Sequence, residues 1–210
     1  IHARNERNAG DGLAFWLVEE PLASGPEEEA FGGAAIFKGL GIFVDLYANA
    51  HHDYSFPRIS AMINDGSRTF ANERDGEGQL LAACTPPSSL LHHDKVTMRV
   101  LYAAQRLEVL LQLEPEAAWT PCLVVQYVNL PQKGYLGVTA RTGTATAQID
   151  LLGITTASIE AATAKQFWSD SPHRAGSGMK LLLGLCLLGM VGWLGWSYWK
   201  RRQLLKNHII

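Results

Sequence analysis

The chain has 210 residues, 47% hydrophobic and 18% charged, with a formal net charge of −2. Divided before Met179, that charge separates into −7 over the first 178 residues and +5 over the last 32. An acidic main body without a basic stripe argues against nucleic acid as a partner, and its length suits one core of ordinary size.

Short apolar runs rich in β-branched and aromatic residues recur in chain order at Leu13 to Val18, Gly41 to Tyr47, Ile59 to Ile63, Val96 to Tyr102, Leu107 to Leu113, Leu123 to Val128, Tyr135 to Thr139 and Ile149 to Ile159. Several alternate polar with apolar positions. Asn64-Asp65-Gly66, Asp75-Gly76 and Pro86-Pro87-Ser88 punctuate them. No helical period is sustained before Met179, so the pattern predicts an all-β antiparallel sandwich or jelly roll. Residues 160 to 178 shift to small and polar residues and read as a stalk.

Leu181 to Trp199 holds 19 residues without a charge. As a helix it would reach roughly 28 Å, close to the hydrocarbon thickness of a bilayer. Trp193, Trp196, Tyr198 and Trp199 crowd its far end and Lys200-Arg201-Arg202 follow at once, the order of an aromatic belt and a cytosolic flank. The expected organisation is a lumenal domain at 1–159, a stalk at 160–178, a transmembrane helix at 179–199 and a cytosolic tail at 200–210, a type I single-pass topology. The chain opens Ile1-His2-Ala3 with neither an initiator Met nor a signal peptide, so the lumenal domain is expected to lack its first part. Cys186 lies inside the apolar span. Cys84 and Cys122 remain as an even pair, consistent with a disulfide in an oxidising compartment or with two separate buried thiols.

Asp45-Leu46-Tyr47-Ala48-Asn49 ends a predicted strand and enters a polar loop, His51-His52-Asp53. An Asp, a carbonyl and an Asn at this spacing can turn hard oxygens toward one point, and Asp75 could join them. Such a set suits Ca²⁺. By spacing alone, solvated turn residues are the commoner explanation of these positions.

Ordered motifs extend the pattern: Gly10-Asp-Gly-Leu-Ala-Phe-Trp16, Gly39-Leu-Gly-Ile-Phe-Val-Asp-Leu-Tyr-Ala-Asn49, Phe56-Pro-Arg-Ile-Ser-Ala-Met-Ile-Asn-Asp-Gly-Ser67, Asp75-Gly76, Trp119-Thr-Pro-Cys122 and Gly134 through Gly143. Over residues 9 to 159 the chain resembles the eukaryotic L-type lectins of the early secretory pathway, in particular their vesicular integral-membrane branch. The resemblance implies a concanavalin-like jelly roll that needs Ca²⁺ and recognises high-mannose N-glycans on glycoprotein cargo between endoplasmic reticulum and Golgi. By motif, Asp45, the Tyr47 carbonyl, Asn49 and Asp75 would hold calcium. Asp11, Tyr47, Asn49, Asn72, Gly143 and Thr144 would line the carbohydrate pocket, with the Asn49 amide oxygen toward the ion and its NH₂ toward the sugar.

Two positions depart from the family. Asn72 stands where it has a sugar-binding histidine, and Thr144 where it has an aspartate. His51 and His52 are candidates to take the place of that histidine. The tail ends His208-Ile209-Ile210, which resembles the family's coat-binding export signals. A glycoside hydrolase would need carboxylates flanking the scissile bond, commonly as Glu-x-Asp-x-x-Glu, a pattern the chain lacks, so binding rather than catalysis is expected. The alternative is a degenerate lectin fold that binds a protein partner.

Overall fold

A computed structural model of the chain describes residues 9–22, 29–91, 95–114 and 118–159. Its strands are β1 (Gly12–Val18), β2 (Glu29–Ala30), β3 (Gly33–Ala34), β4 (Lys38–Asp45), β5 (Arg58–Asp65), β6 (Ala82–Cys84), β7 (Val96–Ala103), β8 (Arg106–Leu113), β9 (Thr120–Val125) and β10 (Tyr135–Arg141). One antiparallel sheet has the order β10-β1-β4-β5-β6 and a second the order β7-β8-β9, with β2-β3 as a small separate pair. The two larger sheets form the sandwich of a lectin jelly roll.

Residue alternation explains why the five-stranded sheet lies inside. Along β1, Leu13, Phe15 and Leu17 face the core shared with the second sheet, while Ala14, Trp16 and Val18 face the opposite way into an aromatic cluster. In β4, Leu40, Ile42 and Val44 join Ile59, Leu107, Val109 and Leu123 on the first side, and Phe43 joins Trp16, Phe31, Phe37 and Phe70 on the other. Successive strand residues point to opposite faces, so a run apolar at every position is a strand covered on both. Trp16 is fully buried, and its indole N–H donates to Thr139 Oγ1 at 2.8 Å, which leaves no polar group unmet.

Gly12 and Gly39 mark opposite ends of the β1–β4 pair. A Cβ on Gly12 would stand 2.1 Å from the Val44 carbonyl oxygen, and one on Gly39 2.2 Å from that of Leu17, with φ of +147° and +136°. Gly12→Ala is expected to destabilise the protein by about 1–3 kcal/mol through main-chain displacement, as read by denaturant unfolding.

Cys84 and Cys122 form a disulfide with Cα atoms 5.3 Å apart. It joins β6, an edge of one sheet, to β9, an edge of the other. One expected strand is absent: residues 149–159 form no strand, and Leu151, Leu152 and Ile154 are exposed. Their apolar and β-branched residues suit a strand, but among the described residues no strand pairs with them to form the ladder that a β-strand requires. Among the described residues no helix is long and apolar enough to cross a membrane. The expected stalk, apolar span and tail lie outside the described residues.

Candidate metal centre and carbohydrate pocket

Register brings the first two acids together. Gly12 pairs with Asp45 across β1 and β4, so the start of one strand and the end of the other deliver Asp11 and Asp45 to the same sheet end. The Asp11 N–H donates to the Arg141 carbonyl at 3.0 Å and the Leu46 N–H to the Asp11 carbonyl at 2.9 Å, tying three segments at that point. The Gly10–Asp11 peptide is cis. Beyond β4 the chain folds back as an Asx-type turn, in which the Tyr47 N–H donates to Asp45 Oδ1 at 3.1 Å.

Asp75 arrives from the β5–β6 connection, directly after a 3-10 turn at Asn72–Arg74, with a left-handed φ of 53°. Its carboxylate organises the opposing loop. The Asn49 N–H lies 3.1 and 3.0 Å from its two oxygens, Asn49 Nδ2 donates to Oδ1 at 2.9 Å, and the Ala50 N–H donates to Oδ2 at 3.3 Å. His52 Nε2 completes the set at 2.6 Å from Oδ2, with the His52 and Asp75 side chains only 2% and 1% exposed.

The electrostatics of this end are unbalanced. Asp45 is buried and, among the described residues, its one hydrogen bond comes from Tyr47. Burial, with the negative charges of Asp75 and Asp11 added, pushes its carboxyl up to about 8, against the opposing pull of the Tyr47 N–H and the Arg58 charge. A divalent cation would relieve that excess of negative charge. The donor types at this end, two carboxylates with a main-chain carbonyl and an amide oxygen nearby in the chain, are hard oxygens of the kind that suits Ca²⁺ rather than a soft-ligand metal. Among the described residues no group of three or more His, Cys, Asp and Glu has metal-holding geometry, so the set depends on Tyr47 and Asn49 as much as on the acids.

Asn49 differs from expectation in one respect. Its Nδ2 donates both to Asp75 Oδ1 and to the Asn72 carbonyl, each at 2.9 Å, so its NH₂ is engaged within the protein rather than free for a sugar. Both neighbours are acceptors, which fixes nitrogen rather than oxygen at this position.

The carbohydrate residues lie around the same end. A Cβ on Gly143 would stand 3.1 Å from Asp11 Oδ1, and one on Gly10 would stand 3.1 Å from Tyr47 Cβ and 2.8 Å from Ala145 Cβ. Asp11, Tyr47 and the Gly143 loop therefore converge. The Gly143 N–H donates to the Ala145 carbonyl at 3.1 Å to close that loop. Tyr47, Asn49, Asn72 and Thr144 are exposed. Of the two histidines, His51 points outward and His52 lies on Asp75. An alternation of exposed and sheltered residues through 51–56 is the signal that separates them.

These features define a lectin: the chain matches the legume-like lectin family over residues 1–166 and belongs to it. Within the family it groups with the VIP36 branch. It is 34% identical to the human VIP36-like protein over 157 residues, 73% of this chain and 44% of the relative. It is 35% identical to mouse vesicular integral-membrane protein VIP36 over 156 residues, 73% of this chain and 42% of the relative. The chain thus spans less than half the length of these relatives. The crystal structure of the VIP36 exoplasmic/lumenal domain with Ca²⁺ and Man3GlcNAc matches with a TM-score of 0.62 at 35% identity, covering 68% of this chain and 58% of that one. A metal-free form of that domain matches with the same TM-score at 34% identity, covering 70% and 59%.

Proposed function

We propose that this chain carries the lumenal domain of a membrane-anchored cargo receptor that binds high-mannose N-glycans of glycoproteins with calcium as its cofactor. The observation that carries this reading is the meeting of Asp45 and Asp75, both buried, with Tyr47, Asn49 and Asp11 at one sheet end. A similar domain, that of VIP36, has been crystallised with Ca²⁺ and mannose. Asp45, the Tyr47 carbonyl, the Asn49 amide oxygen and Asp75 would hold the ion. When bound, it neutralises the acids and rigidifies the loop, so less ordering entropy is lost on binding sugar. Asp11 accepts hydrogen bonds from mannose hydroxyls, and Gly143, lacking a side chain, leaves room for them. Retention of a glycan, not cleavage, is the chemistry of this site.

The proposed domain order is a lumenal lectin domain at 1–159, a stalk at 160–178, a transmembrane helix at 179–199 and a cytosolic tail at 200–210. The tail's closing Ile209-Ile210 would engage vesicle coat components. The receptor would cycle through the membranes of the endoplasmic reticulum, the intermediate compartment and the Golgi. The decisive experiment passes the full chain, in detergent, over a mannose column with calcium and then with chelator. Retention released by chelator is expected; retention that survives chelation removes calcium from the mechanism.

No retention at all would favour a second reading, a lectin fold that binds a protein partner. Asn72 and Thr144 favour it, as does the internally engaged NH₂ of Asn49. The two readings make opposite predictions for a restored pocket. If the site is a weakened mannose site, the Asn72→His, Thr144→Asp double variant binds mannose roughly 10- to 100-fold tighter, since one hydrogen bond to a charged acceptor contributes about 1.5–3 kcal/mol. Calorimetric titration with a mannose oligosaccharide measures this directly.

A further inference from the structure

The segment leading from Asn49 to β5 alternates as far as Phe56, after which Pro57 is buried. His51, Asp53 and Ser55 are exposed, whereas His52, Tyr54, Phe56 and Arg58 are sheltered. These sheltered residues stack on one another. The His52 ring lies on the Tyr54 ring at 4.4 Å between centroids and 14° between planes. The Arg58 guanidinium covers Tyr54 at 3.5 Å, and Phe56 packs 6.1 Å from His52 and 5.8 Å from Tyr54. Arg58 Nε is buried with no hydrogen-bond partner among the described residues, so stacking is a principal contact of that side chain. The imidazole is thus oriented through its face, and its Nε2 meets Asp75 Oδ2 at 2.6 Å. A charged carboxylate only accepts, so toward an ionised Asp75 the contact is made by the ring tautomer that carries its proton on Nε2.

We propose that His52 is a positioning residue for Asp75, its stacked ring holding the carboxylate in one orientation before any ion binds. Asp75 holds the Asn49 and Ala50 N–H groups as well as His52. Fixing it therefore fixes the loop that contributes Asn49. The consequence for calcium affinity rests on the calcium reading above; the consequence for the ion-free loop does not. Residues that orient metal ligands from outside commonly change metal affinity by about 10- to 100-fold when removed.

The test uses the full chain in detergent. Calcium titrations compare the native protein with His52→Ala and His52→Gln, while hydrogen exchange in excess chelator follows the Asn49 and Ala50 amides. The expected result is calcium binding weakened by about 10- to 100-fold in His52→Ala, only partly restored in His52→Gln, which keeps an N–H donor at similar reach but loses the stacked ring, and exchange of both amides fastest in His52→Ala. Unchanged affinity and unchanged exchange in His52→Ala would overturn the proposal. If the native protein takes up no calcium, the calcium reading fails, and the exchange data decide the positioning role. If neither variant folds, nitrogen-edited NMR of the native protein decides. A proton on His52 Nε2 supports the role, and a neutral ring protonated only on Nδ1 overturns it.

Discussion

Asp75→Ala is expected to abolish calcium uptake and to destabilise the ion-free protein by about 1–3 kcal/mol, the cost of leaving buried donors unmet. The carboxylate is the hub of the site: it receives the Asn49 N–H, the Asn49 NH₂, the Ala50 N–H and His52 Nε2. Removing it strands those donors together, and a buried donor left unmet costs about 1–3 kcal/mol. The individual costs do not add, because Asn49 is exposed and water replaces part of what it loses. Asp75→Asn separates the two roles. It keeps an acceptor of the same shape but loses the charge, so more stability survives while calcium affinity still falls steeply. Denaturant unfolding in chelator measures the first quantity and direct calcium titration the second. An alanine variant as stable as the native chain would show that the loop at 49–52 is held elsewhere.

The strands that sequence patterning predicts are the long ones. Leu13 to Val18, Val96 to Tyr102 and Leu107 to Leu113 lie within β1, β7 and β8, because the first is an unbroken apolar run and the other two alternate over eight residues, each a signal of its own. Strands β2, β3 and β6 hold two, two and three residues, too few to show any period. Residues 149–159 are the converse case, since their apolar and β-branched composition is legible but a strand also needs a partner. For the site, motif resemblance identifies Asp45, Tyr47, Asn49 and Asp75 as a group, and the structure joins Tyr47 to Asp45 through an Asx-type turn and Asn49 to Asp75 through hydrogen bonds. What it does not give is the direction of the Asn49 amide, decided by two acceptors more than twenty residues away in the chain, nor which of two adjacent histidines turns inward. The second is written in the chain as His52, Tyr54, Phe56 and Arg58 at every other position, but only the packed structure shows that these residues stack.

Replacing Cys84 and Cys122 together with serine is expected to destabilise the domain by about 3–4 kcal/mol, the chain-entropy value for a closed loop of this size. The separation is 38 residues, and the bond joins the two sheets at their edges, where the backbone alone provides least. Strand β6 is held to β5 by three residue pairs, Ile59 with Cys84, Ser60 with Ala83 and Ala61 with Ala82. With the bond gone, this short edge strand should open first and its amides should exchange fastest. The proposed metal centre should respond differently. Asp75 lies in the connection between β5 and β6, yet its carboxylate is fixed by contacts to residues 49–52 rather than through β6. Calcium affinity in the serine variant should therefore change by less than a factor of ~3, as expected for sites without shared partners, even as global stability falls. Unfolding curves for the serine variant and the oxidised native chain measure the first effect, and calcium titration of the folded variant the second. A large loss of affinity at modest loss of stability would mean that the disulfide, rather than the His52 stack, sets the position of Asp75.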